Sequence, residues 1–269
     1  METDGRGILF ALPGSSCQQA APALERIGHA AARRFPGVAQ RWAYTSRGVR
    51  RKLAVQGRSV PDPGEALSAL RGEGFTRVAV LSLHLTDGME YGELAETVAA
   101  CARGPEAFAH IALGAPLLTR AADVRRVCAA LLAALPGPPN ADERVVLVAH
   151  GSRDPQGQQT FGAAATLCRE EYPRLRLGVM MGAPGLADLM KECQAAAVRK
   201  VWLLPFMVAA GYSAQEEIAG AGERSWKSAF EKSGIECLPV VKGLDECDGV
   251  VEVWMDELDR LLGELEQRR

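Results

Sequence analysis

The sequence predicts an α/β protein of two similar lobes, each a parallel sheet flanked by helices. Three observations predict it. Short apolar runs alternate with helix-length segments along the chain, which is the pattern of βαβ units. Most of these runs are too apolar for a strand with one wet face, so they read as strands covered on both sides. The chain also repeats itself: ILFALPGSS at 8–16 echoes VLVAHGS at 146–152, and RVAVLSLHLTDGMEY at 77–91 echoes KVWLLPFMVAAGYSA at 200–214.

In the first half, strand 7–13 (GILFALP) stops at Pro13-Gly14, and a helical pattern follows over 17–34. Strands over 40–45 and 77–85 come next, then a helix over 90–102, a strand over 110–114 and a helix over 120–134. PGPPNADE at 136–143 is Pro-rich and reads as a linker. The second half places strands at 144–149, 175–181, 199–208 and 235–241, with helices over 155–171, 184–197, 224–233 and 248–266. The last helix carries Val250, Trp254, Leu258, Leu261, Leu262 and Leu265 on one face, a packing stripe. The expected lobes are therefore 1–135 and 144–269. The final helix, lacking a counterpart in the first half, is free to pack back on the first lobe.

Length and composition exclude several classes. With 269 residues and 48% hydrophobic content, the chain can bury a large core. A net charge of -2 gives no basic field for nucleic acid. The start METDGRG is acidic and polar, and the run after it is too short for a membrane span, so a cytoplasmic protein with no membrane partner is expected. The seven cysteines are scattered without metal-ligand spacing and read as reduced thiols. PGSS and HGSR are neither Walker loops nor GxGxxG fingerprints, which argues against a nucleotide enzyme.

Ligands of open parallel sheets sit beyond the carboxyl ends of the strands. The repeat aligns four such positions: Pro13 with His150, Tyr44 with Met181, His84 with Met207, and Glu90 with Ser213. If the lobes face each other across a cleft, His150, His84 and Glu90 all approach it. His150 is then a candidate base or metal ligand. His84, inside LSLHL, also fits a satisfied core histidine, and Glu90 a first-turn acid favoured by the helix dipole. The loops PGSS (Gly14, Ser15, Ser16) and HGSR (Gly151, Ser152) lead toward helices whose amides could hold an anion. Residues 33–52 hold Arg33, Arg34, Arg41, Arg47, Arg50, Arg51 and Lys52, of which Arg47, Arg50 and Arg51 follow a strand end and could pair with ligand carboxylates.

Together, PGSS, AYTSRGVRRKL, SLHLTDGMEYGEL, LGAPLLT, VLVAHGS, GVMMGAPG, PFMVAAGYSAQEE, GERSWKSAF and KGLDE resemble, in order and spacing, the anaerobic sirohydrochlorin cobaltochelatases, relatives of the ferrochelatases. The resemblance implies two α/β lobes with a tetrapyrrole in the active-site cleft between them. It implies Co2+ as the metal substrate, with Ni2+ or Fe2+ open, and no organic cofactor. His150 is implied to bind the incoming metal and help remove pyrrole protons, with Glu90 as the companion carboxylate. Gly14, Ser15, Ser16, Arg47, His84, Gly151 and Ser152 are the expected tetrapyrrole contacts. The family pattern has Glu where this chain has Met181, and a second His where it has Ser213. Two readings stay open: a chelatase with a reduced metal site, or a chelatase fold that binds or carries a tetrapyrrole without inserting metal. Assembly into a homo-oligomer is left open.

Overall fold

In a computed structural model that describes residues 5–17 and 21–267, the alternating pattern becomes two four-stranded, all-parallel sheets. The first has strand order β2-β1-β3-β4, built from β1 (Arg6–Leu12), β2 (Ala39–Tyr44), β3 (Arg77–Ser82) and β4 (His110–Leu113). The second has the order β6-β5-β7-β8, built from β5 (Glu143–Gly151), β6 (Leu175–Met181), β7 (Lys200–Pro205) and β8 (Glu236–Pro239). The eight predicted strands all form. Identical strand order in both sheets is the structural form of the sequence repeat.

Helices return each chain segment to the start of the next strand. They are α1 (Ala21–Arg34), α2 (Arg47–Val55), α3 (Pro63–Gly72), α4 (Met89–Cys101) and α5 (Ala121–Ala133), then α6 (Pro155–Glu171), α7 (Leu186–Ala195), α8 (Trp226–Lys232) and α9 (Asp248–Gln267). A π-helical turn occupies Ser213–Ile218 and a 3-10 turn Leu244–Glu246. The central strands β1 and β5 are wholly buried along Ile8–Leu12 and Val145–Ala149, because helices cover both faces of each sheet. Leu9, Val80, Leu67 and Leu94 belong to one core, and Val146, Leu203, Trp226 and Phe230 to the other.

The chain forms two compact units, one of residues 5–16, 25–117 and 252–267, the other of 118–251 with 17 and 21–24. This division differs from the one expected at the Pro-rich segment. α5 lies with the second unit because its buried face of Val124, Val127, Cys128 and Leu131 packs toward α6. The 136–143 segment is fixed to that unit rather than a free linker. Arg174 donates to the Pro139 carbonyl (2.8 Å), and Asn140 donates to Glu143 through both backbone and side chain (3.2 Å each). Most of α9 belongs to the first unit. There Arg34 donates to Glu252 (2.7 Å), Asp256 (2.6 Å) and Asp259, and Glu257 accepts from the Ala115 amide at 2.9 Å.

Register tests the repeat residue by residue. Arg6 pairs with Arg77 and Glu143 with Lys200, so His84 and Met207 hold equivalent places beyond β3 and β7. Leu83 donates to Ala11 (2.8 Å) as Phe206 does to Val148 (2.7 Å). Gly92 donates to Gly88 (3.0 Å) as Gln215 does to Gly211 (3.2 Å), which keeps Glu90 and Ser213 equivalent. The outer pair departs from expectation. Tyr44 faces Leu12, but Ala149 faces Val179, so Met181 runs two residues farther along its strand than Tyr44 does.

Candidate functional site

The candidate residues of each unit collect at the carboxyl edge of that unit's sheet. In the second unit β5 runs to His150-Gly151, where the buried pattern stops and the imidazole becomes exposed. Gly151 takes the left-handed conformation (φ 80°), and a Cβ there would lie 2.0 Å from the Met181 carbonyl oxygen. Only glycine fits that turn, so the strand must end with the histidine as its last side chain. Protein packed around the ring lowers the His150 pKa by desolvation, and the Glu217 carboxylate partly offsets this. The imidazole is therefore neutral at neutral pH, with a lone pair available to a proton or a metal.

Glu217 belongs to the π-helical turn, and neither helical periodicity nor the repeat singles it out. The doublet in PFMVAAGYSAQEE is its only trace in the sequence. Ser213 opens that turn and is half-buried. Met181 closes β6 with 38% of its surface exposed. Among the described residues no group of three or more His, Cys, Asp or Glu side chains is arranged to hold a metal ion. That agrees with a thioether and a hydroxyl standing where the resemblance calls for Glu and His.

The HGSR loop is not the open anion cradle expected from its sequence. Asp154 caps α6 by accepting from the Gly157 amide (2.9 Å), so a carboxylate of the chain already occupies that helix end. Ser152 is engaged in the same turn, its hydroxyl accepting from the Asp154 amide (3.1 Å) and its carbonyl from the Gln158 side chain (3.1 Å).

In the first unit Gly14, also left-handed (φ 84°), follows β1, and Ser15 and Ser16 beside it are half-buried. α1 begins at Ala21, later than the expected 17; residues 18–20 lie outside the described residues. Glu90 stands in the first turn of α4, after the N-cap Gly88, half-buried. Thr45, just beyond β2, donates to it across 3.5 Å. His84 is 4% exposed, and both ring nitrogens are engaged, Nε2 with the Thr45 hydroxyl and Nδ1 with the Ser82 hydroxyl, each at 2.9 Å. Burial holds its pKa down at about 4. A neutral imidazole has one donor and one acceptor nitrogen, and Thr45 spends its proton on Glu90, so Nε2–H donates to Thr45 and Ser82 donates to Nδ1. His84 thus backs Thr45 and Glu90, and its ring offers no free nitrogen to a tetrapyrrole.

The basic cluster is largely consumed by the fold. Arg41 pairs with Glu73 (2.5 Å), and Arg47, 78% exposed, reaches Glu93 at 3.4 Å. Arg50 donates to the Tyr44 carbonyl and, at 2.9 Å, to the Thr45 carbonyl, holding the end of β2 rather than facing a ligand. Arg51 and Lys52 are exposed.

Comparison with known proteins adds an independent line. The family model described as Cobalt chelatase (CbiK) matches residues 6–262. A sirohydrochlorin cobaltochelatase CbiKC of Nitratidesulfovibrio vulgaris is 39% identical over 261 residues, 97% of this chain and 92% of that one. A sirohydrochlorin cobaltochelatase of Salmonella typhimurium is 29% identical over 225 residues, 82% of each chain. Among solved structures, SirB from Bacillus subtilis with Fe3+ superimposes with a TM-score of 0.64 at 16% identity, covering 95% of both chains, a likeness of fold.

Proposed function

From the premise that this chain belongs to the cobalt chelatase (CbiK) family, we propose that it inserts Co2+ into sirohydrochlorin or a close tetrapyrrole relative, as its curated relatives are named for doing. Insertion exchanges two pyrrole N–H protons for one divalent cation, so the protein must take protons while offering the metal only a passing hold. The observation that carries the reading is His150, an exposed imidazole at the end of a central strand, its pKa lowered by the protein around it. His150 is the proposed metal-holding and proton-accepting group, and Glu90 the carboxylate that attracts the cation. Thr45 and His84 steady Glu90. Gly14, Ser15, Ser16, Gly151 and Ser152 are proposed to give the macrocycle close backbone approach, and Arg47 to meet its carboxylates. Met181 and Ser213 lower the affinity for a hard or borderline cation, which suits brief tenancy.

The test is metallation followed by absorbance with purified protein, sirohydrochlorin and Co2+. Acceleration over the uncatalysed reaction is expected, with most of it lost in His150→Ala and a smaller part in Glu90→Gln. Its acid limb should lie below the ordinary histidine value of 6.5, because the His150 pKa is lowered. Full activity in His150→Ala would sink the site assignment. A second reading, tetrapyrrole binding without insertion, draws support from the absence of a three-ligand cluster among the described residues. Tight binding with no acceleration would favour it, and rescue by Met181→Glu with Ser213→His would trace the loss to those two positions.

A further inference from the structure

None of the seven cysteines belongs to the proposed metal site, yet two of them meet. Cys128 on α5 and Cys168 on α6 bring their Sγ atoms to 3.1 Å, and both are sealed, at 2% and 1% exposure. The seam over them is closed by side chains of the same two helices and the residue just beyond. Arg125 forks onto the Glu171 carboxylate (2.6 to 3.0 Å), and the Tyr172 hydroxyl donates to the Arg125 carbonyl at 2.9 Å. The Arg125 and Glu171 side chains are 48% and 38% exposed, so the thiols lie close beneath a solvent-facing clamp. A salt bridge at the surface opens readily.

We propose that Cys128 and Cys168 are a redox modification site, forming a disulfide that fastens α5 to α6 when the chain meets a peroxide. The sulfurs close by about 1 Å to reach the bonded distance. Their environments differ: a hydrogen bond donated by Cys128 lowers the Cys168 thiol pKa, while Cys128 itself is raised by the same pairing and by burial. Cys168 is the attacking group. Its thiolate displaces hydroxide from hydrogen peroxide, breaking the O–O bond and leaving a sulfenic acid on Cys168. The Cys128 sulfur then attacks the Cys168 sulfur, the S–O bond breaks, and the Cys128 proton leaves with the oxygen as water. The two sulfurs lose two electrons and the peroxide gains two. A small dithiol reverses the bond by exchange.

The full chain is treated with hydrogen peroxide, unreacted thiols are alkylated in denaturant, and peptides are mapped by mass spectrometry. The expected product is a cross-linked pair containing Cys128 and Cys168, two hydrogens lighter than the reduced peptides and abolished by dithiothreitol. Thermal unfolding of the oxidised chain should move up by about 5 °C or more, as closing a loop of this length restricts the unfolded chain. Arg125→Ala should speed cross-linking several-fold by opening the seam. Cys128→Ser should yield sulfenic acid at Cys168 without the cross-link or the thermal shift. Oxidation confined to other cysteines, with Cys128 and Cys168 still alkylated, would overturn the proposal. The peptide map of the unsubstituted chain decides this even where the serine variant does not fold.

Discussion

His84 sits within the apolar run LSLHL, and its neighbours decide its chemistry. Its two ring nitrogens meet the Thr45 and Ser82 hydroxyls, and its burial removes the water that would solvate a charged ring, so desolvation favours the neutral form. The folded state therefore holds its pKa at about 4 while the unfolded chain titrates it near 6.5. Between those values the unfolded state binds the extra proton. Stability from this group is complete above 6.5 and is lost as pH falls toward 4, by about 3 kcal/mol. Denaturant midpoints measured across this interval should fall steeply, and His84→Gln should flatten the slope even if it lowers stability throughout. An unchanged slope would mean that another group carries the acid sensitivity. The strand end at His150 was legible locally, as an apolar run broken at a His-Gly pair, while the repeat and the family resemblance singled the histidine out as a candidate. Thr45 was not, because it meets His84 from just beyond β2, 39 residues away in sequence. Glu217 escaped for a related reason: the π-helical turn shifts its angular position, so no helical period marks it as facing His150.

At the scale of elements, the strands were the most legible part, since burial on both faces forces continuous apolar runs. α3 carried the full signature of a helix start, Asp62 accepting from the Glu65 amide and Glu65 from the Asp62 amide with Pro63 between. Neither it nor α2 stands among the helices expected from the sequence, and α2, which itself carries Arg47, Arg50, Arg51 and Lys52, buries only Leu53 and so shows no apolar stripe. The strand-to-helix turns at Gly14 and Gly151 share a left-handed backbone but not a neighbourhood. An added Cβ at Gly14 would strike the buried Tyr44 ring at 2.3 Å, a side-chain contact that forces the whole ring to shift but leaves the backbone in place. At Gly151 it would strike the Met181 carbonyl oxygen at 2.0 Å, which is backbone locked in the β5–β6 ladder. Gly151→Ala should thus cost more than Gly14→Ala, on the order of 3 kcal/mol, strain and clash together. Urea unfolding of the two variants checks the order, and equal losses would mean that the β6 end yields as easily as a tyrosine ring. Because His150 is the preceding residue, Gly151→Ala should also depress metallation beyond what its lost stability explains.

At the scale of the molecule, the repeat foretold two matching sheets but not where the units divide. The Pro-rich segment at 136–143 misled because composition registers proline and not the Arg174 and Glu143 contacts that tie it down. The apolar stripe on the last helix was the better guide, since a stripe must be buried against something. Trp254, Leu258, Leu261, Leu262 and Leu265 are all buried, and from Glu252 onward the helix belongs with the sheet formed by residues 6–113. Leu261 lies against Gly114, where a Cβ would come within 3.3 Å of it, and Glu257 holds the neighbouring Ala115 amide. Each buried large side chain contributes about 1.5–3 kcal/mol. Five of them together are worth about as much as the 5–15 kcal/mol that ordinarily separates a folded domain from its unfolded chain. A chain ending at residue 251 keeps every strand of both sheets and every helix of the second unit. It should nonetheless lose the first unit: amides of residues 6–113 should exchange hydrogen rapidly while those of 143–239 stay protected. The Arg34→Ala variant, which removes only the ion pairs to Glu252, Asp256 and Asp259, should lower stability by about 1 kcal/mol, because those groups are partly exposed. If that single change matched the truncation, charge rather than the apolar stripe would be holding the helix in place.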